Sequence, residues 1–182
     1  MGNHLVLLVH DLTDSSGDDV AWYVDVGLGD ALHEPMPLRP HTAVQGPFRL
    51  ALEATRGGVG YWHLAHDPSG GFSGMAWRDT PVAIDAFAAR HVQLSTSPES
   101  GFVRVLTAQR RDATGVDVLR GLTLRRVGAG GSSETLTSSD ELVAALGDVF
   151  GLDLADLGRR GTDALWRRVH DAHVAWEASG RP

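Results

Sequence analysis

The chain has 182 residues, of which 42% are hydrophobic, and this is enough to bury the core of one compact domain or two small ones. Its net charge of -7 at pH 7 is spread without a long run of one sign, which excludes the basic footprint of a protein that binds nucleic acid or an anionic membrane. The sequence contains no cysteine, so disulfides, thiolate metal sites and a cysteine nucleophile are excluded within these 182 residues.

The first half of the chain is predicted to consist mainly of short strands. Leu5–Val9 and Ala21–Val26 are apolar and rich in β-branched or aromatic residues, and the polar segment Asp11–Asp19 between them suits the turn of an antiparallel hairpin. Four prolines from Pro35 to Pro47 predict an extended loop outside the central ladders. Further short strands follow at a spacing typical of a sheet that curls into a small barrel. They are predicted at Phe48–Ala54, Gly60–His66 and Gly74–Arg78.

A helix and a domain boundary are predicted near the middle of the chain. Ala83–Arg90 has apolar residues at helical spacing and is followed by Ser95–Pro98, where the proline favours a helix stop and a boundary near residue 95. Beyond the boundary, Phe102–Arg110 and Leu119–Val127 are predicted strands joined by a turn around Gly115.

The last third is predicted to be a loop and two helices. Gly128–Ser133 is glycine-rich and predicts a flexible loop. Either Ser138 or Ser139 is the expected cap of a helix that stops at Gly151, and a final helix is expected over about Gly161–Ala178.

No targeting or membrane segment is predicted. The longest apolar runs are far too short to cross a bilayer, and no basic leader precedes an apolar core. We therefore expect a soluble, cytoplasmic protein whose partners are small molecules or other proteins.

The first hairpin is predicted to bring a histidine and an aspartate together. With the loop centred near residue 14 or 15, His4 lies opposite Asp25, and opposed residues of an antiparallel pair share a face with Cβ atoms roughly 4.5 to 5.5 Å apart. A carboxylate beside an imidazole fixes its tautomer and stabilises the imidazolium, which are the base and orienter of a nucleophilic triad. The alternative is that a one-residue change of register puts Asp25 on the other face, or that the pair only satisfies a polar spot in the core.

Two stretches around this pair resemble the signature sequences of the arylamine N-acetyltransferase family. They are Asn3–Val9 and Trp22–Gly29, in the family's order and at compatible separation. Later stretches are similar to family sequences as well, so the resemblance covers nearly the whole chain. These are Pro35–Leu38, Ser95–Phe102 and the tail from Phe150 to Gly161.

The resemblance implies an α+β fold, with a small antiparallel β-barrel domain over residues 1–95 and an α/β lid domain over residues 96–182 that ends in a helix. It also implies a ping-pong reaction of xenobiotic metabolism. A cysteine takes acetyl from the co-substrate acetyl-CoA and passes it to an arylamine, arylhydroxylamine or hydrazine, without a metal. In that reaction His4 is the catalytic base that makes the thiolate and Asp25 is its orienter.

The resemblance assigns further residues to the coenzyme and the substrate. Gly27 and Gly29 form the turn whose backbone amides face the coenzyme phosphates, and Leu28 stands where the family commonly has phenylalanine in the wall of the amine pocket. Three more residues fall where coenzyme or pocket contacts are implied: Thr96, Ser97 and Phe102. The alternatives are an ordinary glycine turn in the first case and a helix-ending turn with one buried aromatic in the second.

Two histidine pairs have metal-like spacing but predict no metal site. His63 and His66 lie in a predicted strand and straddle its faces, while His170 and His173 lack a third ligand nearby in sequence. The five tryptophans are scattered without basic residues between them, which favours core packing over base stacking.

Family members carry the cysteine in an N-terminal helical domain, which the resemblance places ahead of His4. We therefore expect a C-terminal portion that is inactive alone, through either a start assigned at an internal methionine or a genuine truncation. The alternative is a non-catalytic module that binds coenzyme A or an aromatic ligand, or a subunit that pairs with a separate cysteine-bearing helical domain. Apolar surface left by the missing domain favours self-association.

Overall fold

The computed structural model describes residues 4–55 and 60–180. Asn3, which belongs to the first signature stretch, lies outside these ranges. Within them the chain has the predicted α+β class, and it divides into two compact units, Met1–Ala88 with Arg111–Gly115 and Ala89–Arg110 with Val116–Pro182. No helix in the described part of the chain is long and apolar enough to span a bilayer.

The first unit opens with a three-stranded antiparallel sheet in the order β1-β2-β3. Its strands are β1 (Leu7–Thr13), β2 (Asp19–Val24) and β3 (Met36–Pro37). Pro37 is tolerated in β3 because this strand lies at the sheet edge, where a missing amide hydrogen interrupts no second ladder. Tyr23 and Met36 pair across β2 and β3 and are both buried.

The turn between β1 and β2 is shorter than predicted, because the polar segment Asp11–Asp19 contributes residues to both strands. The Asp14 carboxylate closes the turn by accepting hydrogen bonds from Ser16 N (2.8 Å) and Asp18 N (3.2 Å). It also pairs with the Arg39 guanidinium at 2.7 Å. The bond from Ser16 is the main cause that holds the pKa of Asp14 below its usual value.

A second, four-stranded antiparallel sheet has the order β4-β5-β6-β7. Its strands are β4 (His41–Gln45), β5 (Phe48–Ala54), β6 (Tyr61–Ala65) and β7 (Gly74–Arg78). The predictions for β5 and β7 are confirmed residue for residue, and β6 lies inside its predicted range. The prediction of a loop over the proline-rich segment is wrong at β4, because Pro40 and Pro47 bound this strand and do not interrupt it.

The two sheets are separate ladders among the described residues, so the closed barrel stays a prediction. Alternate residues of β5, namely Phe48, Leu50 and Leu52, are buried on one face of the second sheet. Tyr23 of the first sheet and Leu64 of the second are buried as well.

The second unit combines a four-stranded antiparallel sheet, in the order β11-β10-β9-β8, with helices. Its strands are β8 (Thr107–Asp112), β9 (Gly115–Arg120), β10 (Thr123–Gly128) and β11 (Ser132–Thr135). Its helices are α1 (Ala88–Thr96), α2 (Gly101–Arg104), α3 (Ser139–Ala144) and α4 (Gly158–Ala178), with a 3₁₀ turn at Ile84–Phe87 before α1, a π-helical turn at Ala145–Val149 and a 3₁₀ turn at Ala155–Leu157. Leu119, Leu142 and Leu146 form its buried core.

Two strand predictions in this half overlap observed strands but are wrong in their bounds. The range Phe102–Arg110 begins with α2, whose first turn is capped by the Ser100 hydroxyl oxygen accepting from Phe102 N at 3.3 Å. The range Leu119–Val127 contains the turn between β9 and β10, where Gly121 has a φ of 59° that favours glycine.

The helix predictions of the last third are confirmed, whereas the flexible loop over Gly128–Ser133 is shortened by β10 and β11. Ser138 caps α3 by accepting a hydrogen bond from Glu141 N at 3.2 Å. Gly151 follows the π-helical turn with a φ of 70°, as expected for a helix stop. The last helix, α4, begins three residues before the predicted start and ends at the predicted residue.

A buried aspartate and histidine tie the loop after β6 to the segment after β2. His66 Nε2 lies 3.1 Å from the Asp30 carbonyl oxygen, and Gly71 N donates to Asp30 Oδ2 at 2.5 Å. The fully buried His66 ring lies between Phe48 and Phe72, with centroid distances of 4.9 and 4.5 Å. The His66 ring is therefore part of the packed core of this unit.

Gly70→Ala is expected to destabilise the protein by about 3 kcal/mol, at the upper end for overpacking of a core. A Cβ at residue 70 would lie 2.0 Å from Cε1 and Nδ1 of His66, so the ring or the loop must be displaced. Urea unfolding measures the loss. Gly147→Ala is the matched control, since its Cβ meets nothing within 4 Å among the described residues, and an equal effect of both variants would contradict this account.

Acid stability should depend on Asp67, whose pKa is lowered to about 2. The main cause is the hydrogen bond from the Ser69 hydroxyl (2.6 Å), joined by those from Ser69 N and Arg49 N. In the unfolded chain Asp67 titrates near 3.8, so between about pH 4 and pH 2 the unfolded state binds more protons. The stability from these bonds is therefore present above pH 4 and is lost as the pH falls through 2.

Ser69→Ala removes the hydrogen bond that contributes most to the lowered pKa of Asp67. The free energy of unfolding in urea, measured from pH 5 to pH 2, should therefore fall less steeply with acid in this variant. Ser133→Ala, at an exposed serine of β11, should leave the pH dependence unchanged. An unaltered acid limb in Ser69→Ala would show that Asp67 does not contribute.

Candidate active site

His4 and Asp25 form a direct hydrogen-bonded pair. His4 Nε2 lies 2.6 Å from Asp25 Oδ2, a distance typical of a charge-assisted bond. The Asp25 side chain is 1% exposed, whereas the His4 side chain is 23% exposed. The aspartate is therefore fixed in the interior, and the histidine stands between it and solvent.

The two residues share a face of the β1–β2 ribbon, but they are not directly opposite each other. Extending the observed pairing of Leu7 with Val24 by three residues brings His4 opposite Gly27, so its contact with Asp25 is diagonal. The predicted direct opposition is wrong because the turn closed by Asp14 lies further along the chain than assumed and because the ladder shifts its register between Val9 and Leu12. The prediction that the side chains meet is confirmed.

An irregularity in the ladder separates this part of the ribbon from the turn. The register shifts between Val9 and Leu12, where Asp11 has a φ of 61°. The end of the ladder near the turn and the end near His4 therefore pair in different registers. The hydrophobic pattern of the sequence alone does not reveal this shift.

The buried Asp25 carboxylate accepts three hydrogen bonds. Oδ2 takes the bond from His4 Nε2 and one from the Tyr23 hydroxyl at 3.1 Å, and Oδ1 takes one from Gly27 N at 2.9 Å. A buried carboxylate is costly unless it is bonded in this way. Because Nε2 of His4 donates to Asp25, the other ring nitrogen, Nδ1, is left as the position that can accept a proton.

Tyr23 is a site residue that the sequence reasoning missed. It is fully buried, and its ring stacks on Trp77 of β7 with a centroid distance of 4.6 Å. Burial, followed by the charge of Asp25 and the hydrogen bond to it, raises the pKa of Tyr23 far above its usual value. The signal was present in the sequence, since residues 23 and 25 are two apart in an extended segment and therefore point to one face.

Gly27 allows the close approach of the histidine ring. A Cβ at this residue would lie 3.0 Å from His4 Cε1, which is tighter than nearly all real contacts. Its amide already donates to Asp25. Gly29 has a φ of 62°, a conformation that favours glycine, and Leu28 is half-buried beside it. The coenzyme and substrate roles of these three residues stay predictions.

The other predicted coenzyme residues lie in the second unit. Thr96 Oγ1 donates to the Val92 carbonyl oxygen at 2.7 Å, and Ser97 Oγ accepts from Glu99 N at 3.3 Å. Phe102 is 80% exposed, unlike the buried aromatic of the alternative interpretation. Their contacts with coenzyme stay predictions.

Residues 4–55 and 60–180 contain no group of three histidine, aspartate or glutamate side chains placed to hold a metal ion. Both ring nitrogens of His66 lie within hydrogen-bond distance of backbone carbonyl oxygens, Nδ1 of that of Asp67 and Nε2 of that of Asp30. His170 and His173 lie near acidic neighbours along α4, Asp171 at 3.6 Å and Glu177 at 3.8 Å.

Comparison with known proteins agrees with the resemblance. The model of a family described as N-acetyltransferase matches residues 1–158. The chain belongs to the arylamine N-acetyltransferase family. A search of curated proteins gave no match.

Solved structures of the family have the same fold. A variant of the Mycobacterium smegmatis N-arylamine acetyltransferase is 28% identical, with a TM-score of 0.69 over 90% of this chain and 58% of its own. The Mycobacterium marinum arylamine N-acetyltransferase is 25% identical, with a TM-score of 0.71 over 86% of this chain and 57% of its own. A structure of the M. marinum enzyme in complex with CoA matches at 20% identity, with a TM-score of 0.60 over 87% of this chain and 63% of its own. The chain thus spans less than two thirds of the length of each of these structures.

In this arylamine N-acetyltransferase chain, Gly27→Ala is expected to displace the His4 ring, because a neighbour 3.0 Å from the new Cβ must give way. The Nε2–H proton that bonds Asp25 should then exchange faster with water, as measured by NMR on ¹⁵N-histidine-labelled protein. Gly17→Ala is the control, since it introduces a side chain at a φ of 84° in the same hairpin but meets nothing within 4 Å among the described residues. Equal exchange in Gly27→Ala and the unaltered chain would contradict the close-approach role.

Proposed function

We propose that this chain supplies the base and the orienting carboxylate for acetyl transfer from acetyl-CoA to an arylamine, arylhydroxylamine or hydrazine. The nucleophilic cysteine comes from outside these 182 residues, which contain none. The observation that carries the proposal is the 2.6 Å bond between the half-buried His4 and the buried Asp25. Membership of the arylamine N-acetyltransferase family supports the class of reaction.

The proposed acylation begins when His4 Nδ1 takes the proton of the cysteine thiol. An unperturbed thiol is only slightly ionised at neutral pH, and an imidazolium beside it stabilises the thiolate. The thiolate then attacks the acetyl carbonyl carbon, the bond to the coenzyme sulfur breaks, and the imidazolium returns its proton to that sulfur. Asp25 stabilises the imidazolium throughout and keeps the Nε2–H tautomer in place.

The proposed second half reverses these proton transfers. The amine nitrogen attacks the thioester carbonyl carbon, and His4 Nδ1 accepts the proton that the nitrogen loses. The carbon–sulfur bond breaks, the cysteine sulfur regains the proton from His4, and the acetylated amine leaves. One imidazole serves as base and acid in turn, which requires a fixed orientation and a partly open Nδ1 side.

A cavity in the second unit supports the alternative function, a coenzyme A or aromatic-ligand binding module. It measures about 620 Å³ and is lined by apolar residues and arginines within the described part of the chain. Its lining includes Phe102, Val103, Val118, Leu165, Arg120 and Arg168. Apolar walls with a few cationic groups suit a ligand with a flat or acyl body and a negative charge. Isothermal calorimetry with coenzyme A tests this version, and no heat of binding would remove it.

Acetylation in trans tests the catalytic proposal. The purified chain is mixed with acetyl-CoA, an arylamine and a separately expressed N-terminal helical domain of the kind that the family resemblance implies, which carries the cysteine. We expect no transfer above background from the chain alone and acetylated amine from the mixture, because only the mixture contains the thiol. Asp25→Asn and His4→Gln should each reduce the rate by about 10²-fold or more.

His10→Gln is the matched control, since His10 is an exposed histidine of β1, six residues from His4. It should keep the unaltered rate. Acetyl transfer by the chain alone, or full activity of His4→Gln in the mixture, would overturn the proposal. A mixture that associates but does not transfer acetyl would favour the binding-module alternative.

A further inference from the structure

The Asp25 carboxylate has a third partner that the His4 contact does not explain. The Tyr23 hydroxyl donates to Oδ2 at 3.1 Å, the same oxygen that His4 Nε2 approaches at 2.6 Å. Oδ1 is occupied separately by Gly27 N at 2.9 Å. Rotation of a carboxylate about its last bond is soft, so the orientation of Oδ2 depends on the donors that surround it.

The three donors differ in how firmly they are held. His4 precedes the first residue of β1 and is partly exposed, and Gly27 lies beyond the end of β2. Tyr23 is different, because it lies inside β2, is paired with Met36 of β3 and is fully buried. Of the three donors, Tyr23 is therefore the one that cannot change its position when the Asp25 carboxylate rotates.

A tryptophan of the second sheet packs against the ring of Tyr23. Trp77 of β7 stacks on it with an interplanar angle of 29° and a centroid distance of 4.6 Å. Trp77 is itself paired with Trp62 in the β6–β7 ladder. A rigid support of this kind is what keeps a functional side chain in one orientation.

We propose that Tyr23 is a positioning residue, which fixes Asp25 Oδ2 towards His4 Nε2 and so holds the imidazole in the tautomer with Nδ1 open. This inference rests on the proposed function of the pair as base and orienter. Tyr23 touches neither thiol nor substrate in this scheme and acts through Asp25. Its raised pKa keeps the hydroxyl protonated, so that it only donates to the carboxylate over the pH range of an enzyme.

The test compares Tyr23→Phe with Tyr61→Phe in the purified chain. Both variants remove one phenolic hydroxyl, and these are the only two tyrosines of the sequence. The readout is the Nε2–H proton and the ring ¹⁵N shifts of His4 in ¹⁵N-histidine-labelled protein, assigned with His4→Gln. In Tyr23→Phe we expect exchange of the Nε2–H proton with water about fivefold faster, the size of effect typical of one lost buried hydrogen bond, and a mixture of tautomers.

Tyr61→Phe should leave the His4 signals unchanged. Circular dichroism and the urea midpoint check that both variants fold. Identical His4 signals in a folded Tyr23→Phe and in the unaltered chain would overturn the proposal, because the Tyr23 hydroxyl would then have no effect on the His4 tautomer.

If Tyr23→Phe does not fold, a second measurement tests whether the Tyr23 hydroxyl interacts with Asp25. Both tyrosines are replaced by 3-fluorotyrosine in the otherwise unaltered chain, and Asp25→Asn is introduced. The ¹⁹F resonance of Tyr23 should shift when its acceptor changes, whereas that of Tyr61 should not. Two unmoved resonances would overturn the proposal.

The acetylation assay separates this inference from the proposed function. If the mixture with the cysteine-bearing domain is active, Tyr23→Phe should lower the acylation rate about fivefold with the KM for the amine unchanged. If the unaltered mixture associates but is inactive, the proposed function fails, and the NMR comparison still decides whether Tyr23 orients Asp25.

Discussion

The buried carboxylate of Asp25 is the constraint on which the first unit depends. A charge that is 1% exposed needs hydrogen-bond donors around it, and three neighbours among the described residues donate to it. This requirement explains a glycine at residue 27, a buried tyrosine at residue 23 and the close contact with His4. The same bond that helps to satisfy the charge makes Nδ1 the ring nitrogen that can accept a proton, so the structural role of the pair and its proposed chemical role have one physical cause.

Other aspartates use the same principle to organise the surrounding loops. Asp14 closes the β1–β2 turn, and the register shift between Val9 and Leu12 then brings His4 into diagonal contact with Asp25. Asp30, five residues after Asp25, accepts from Gly71 N and holds the loop around the buried His66. Carboxylates near turns thus connect, by hydrogen bonds, loop segments that do not pack in the apolar core.

The family comparison gives the class of reaction, and the site gives the pair of residues that we propose to serve it. In the proposed reaction the thiol comes from outside these 182 residues, and His4 serves as its base. The exposed residues Leu5, Leu7 and Val9 alternate along the ribbon on the face opposite to His4. In the proposed reaction the thiol approaches the face that carries His4, which is not the face of these apolar side chains.

The sequence by itself determined the features that rest on local signals. These include β5 and β7, a serine cap of α3 at Ser138 or Ser139, the stop at Gly151 and the end of α4, because periodicity, caps and positive-φ glycines act within a few residues. The family resemblance further singled out His4 and Asp25. Tertiary structure decided the rest: β4 between its prolines, the helical turn at Gly101–Arg104, the diagonal register and the support of Asp25 by Tyr23 and Trp77. Pairing register and contacts between sheets depend on residues far apart in the chain, and local patterns carry no information about which of them meet.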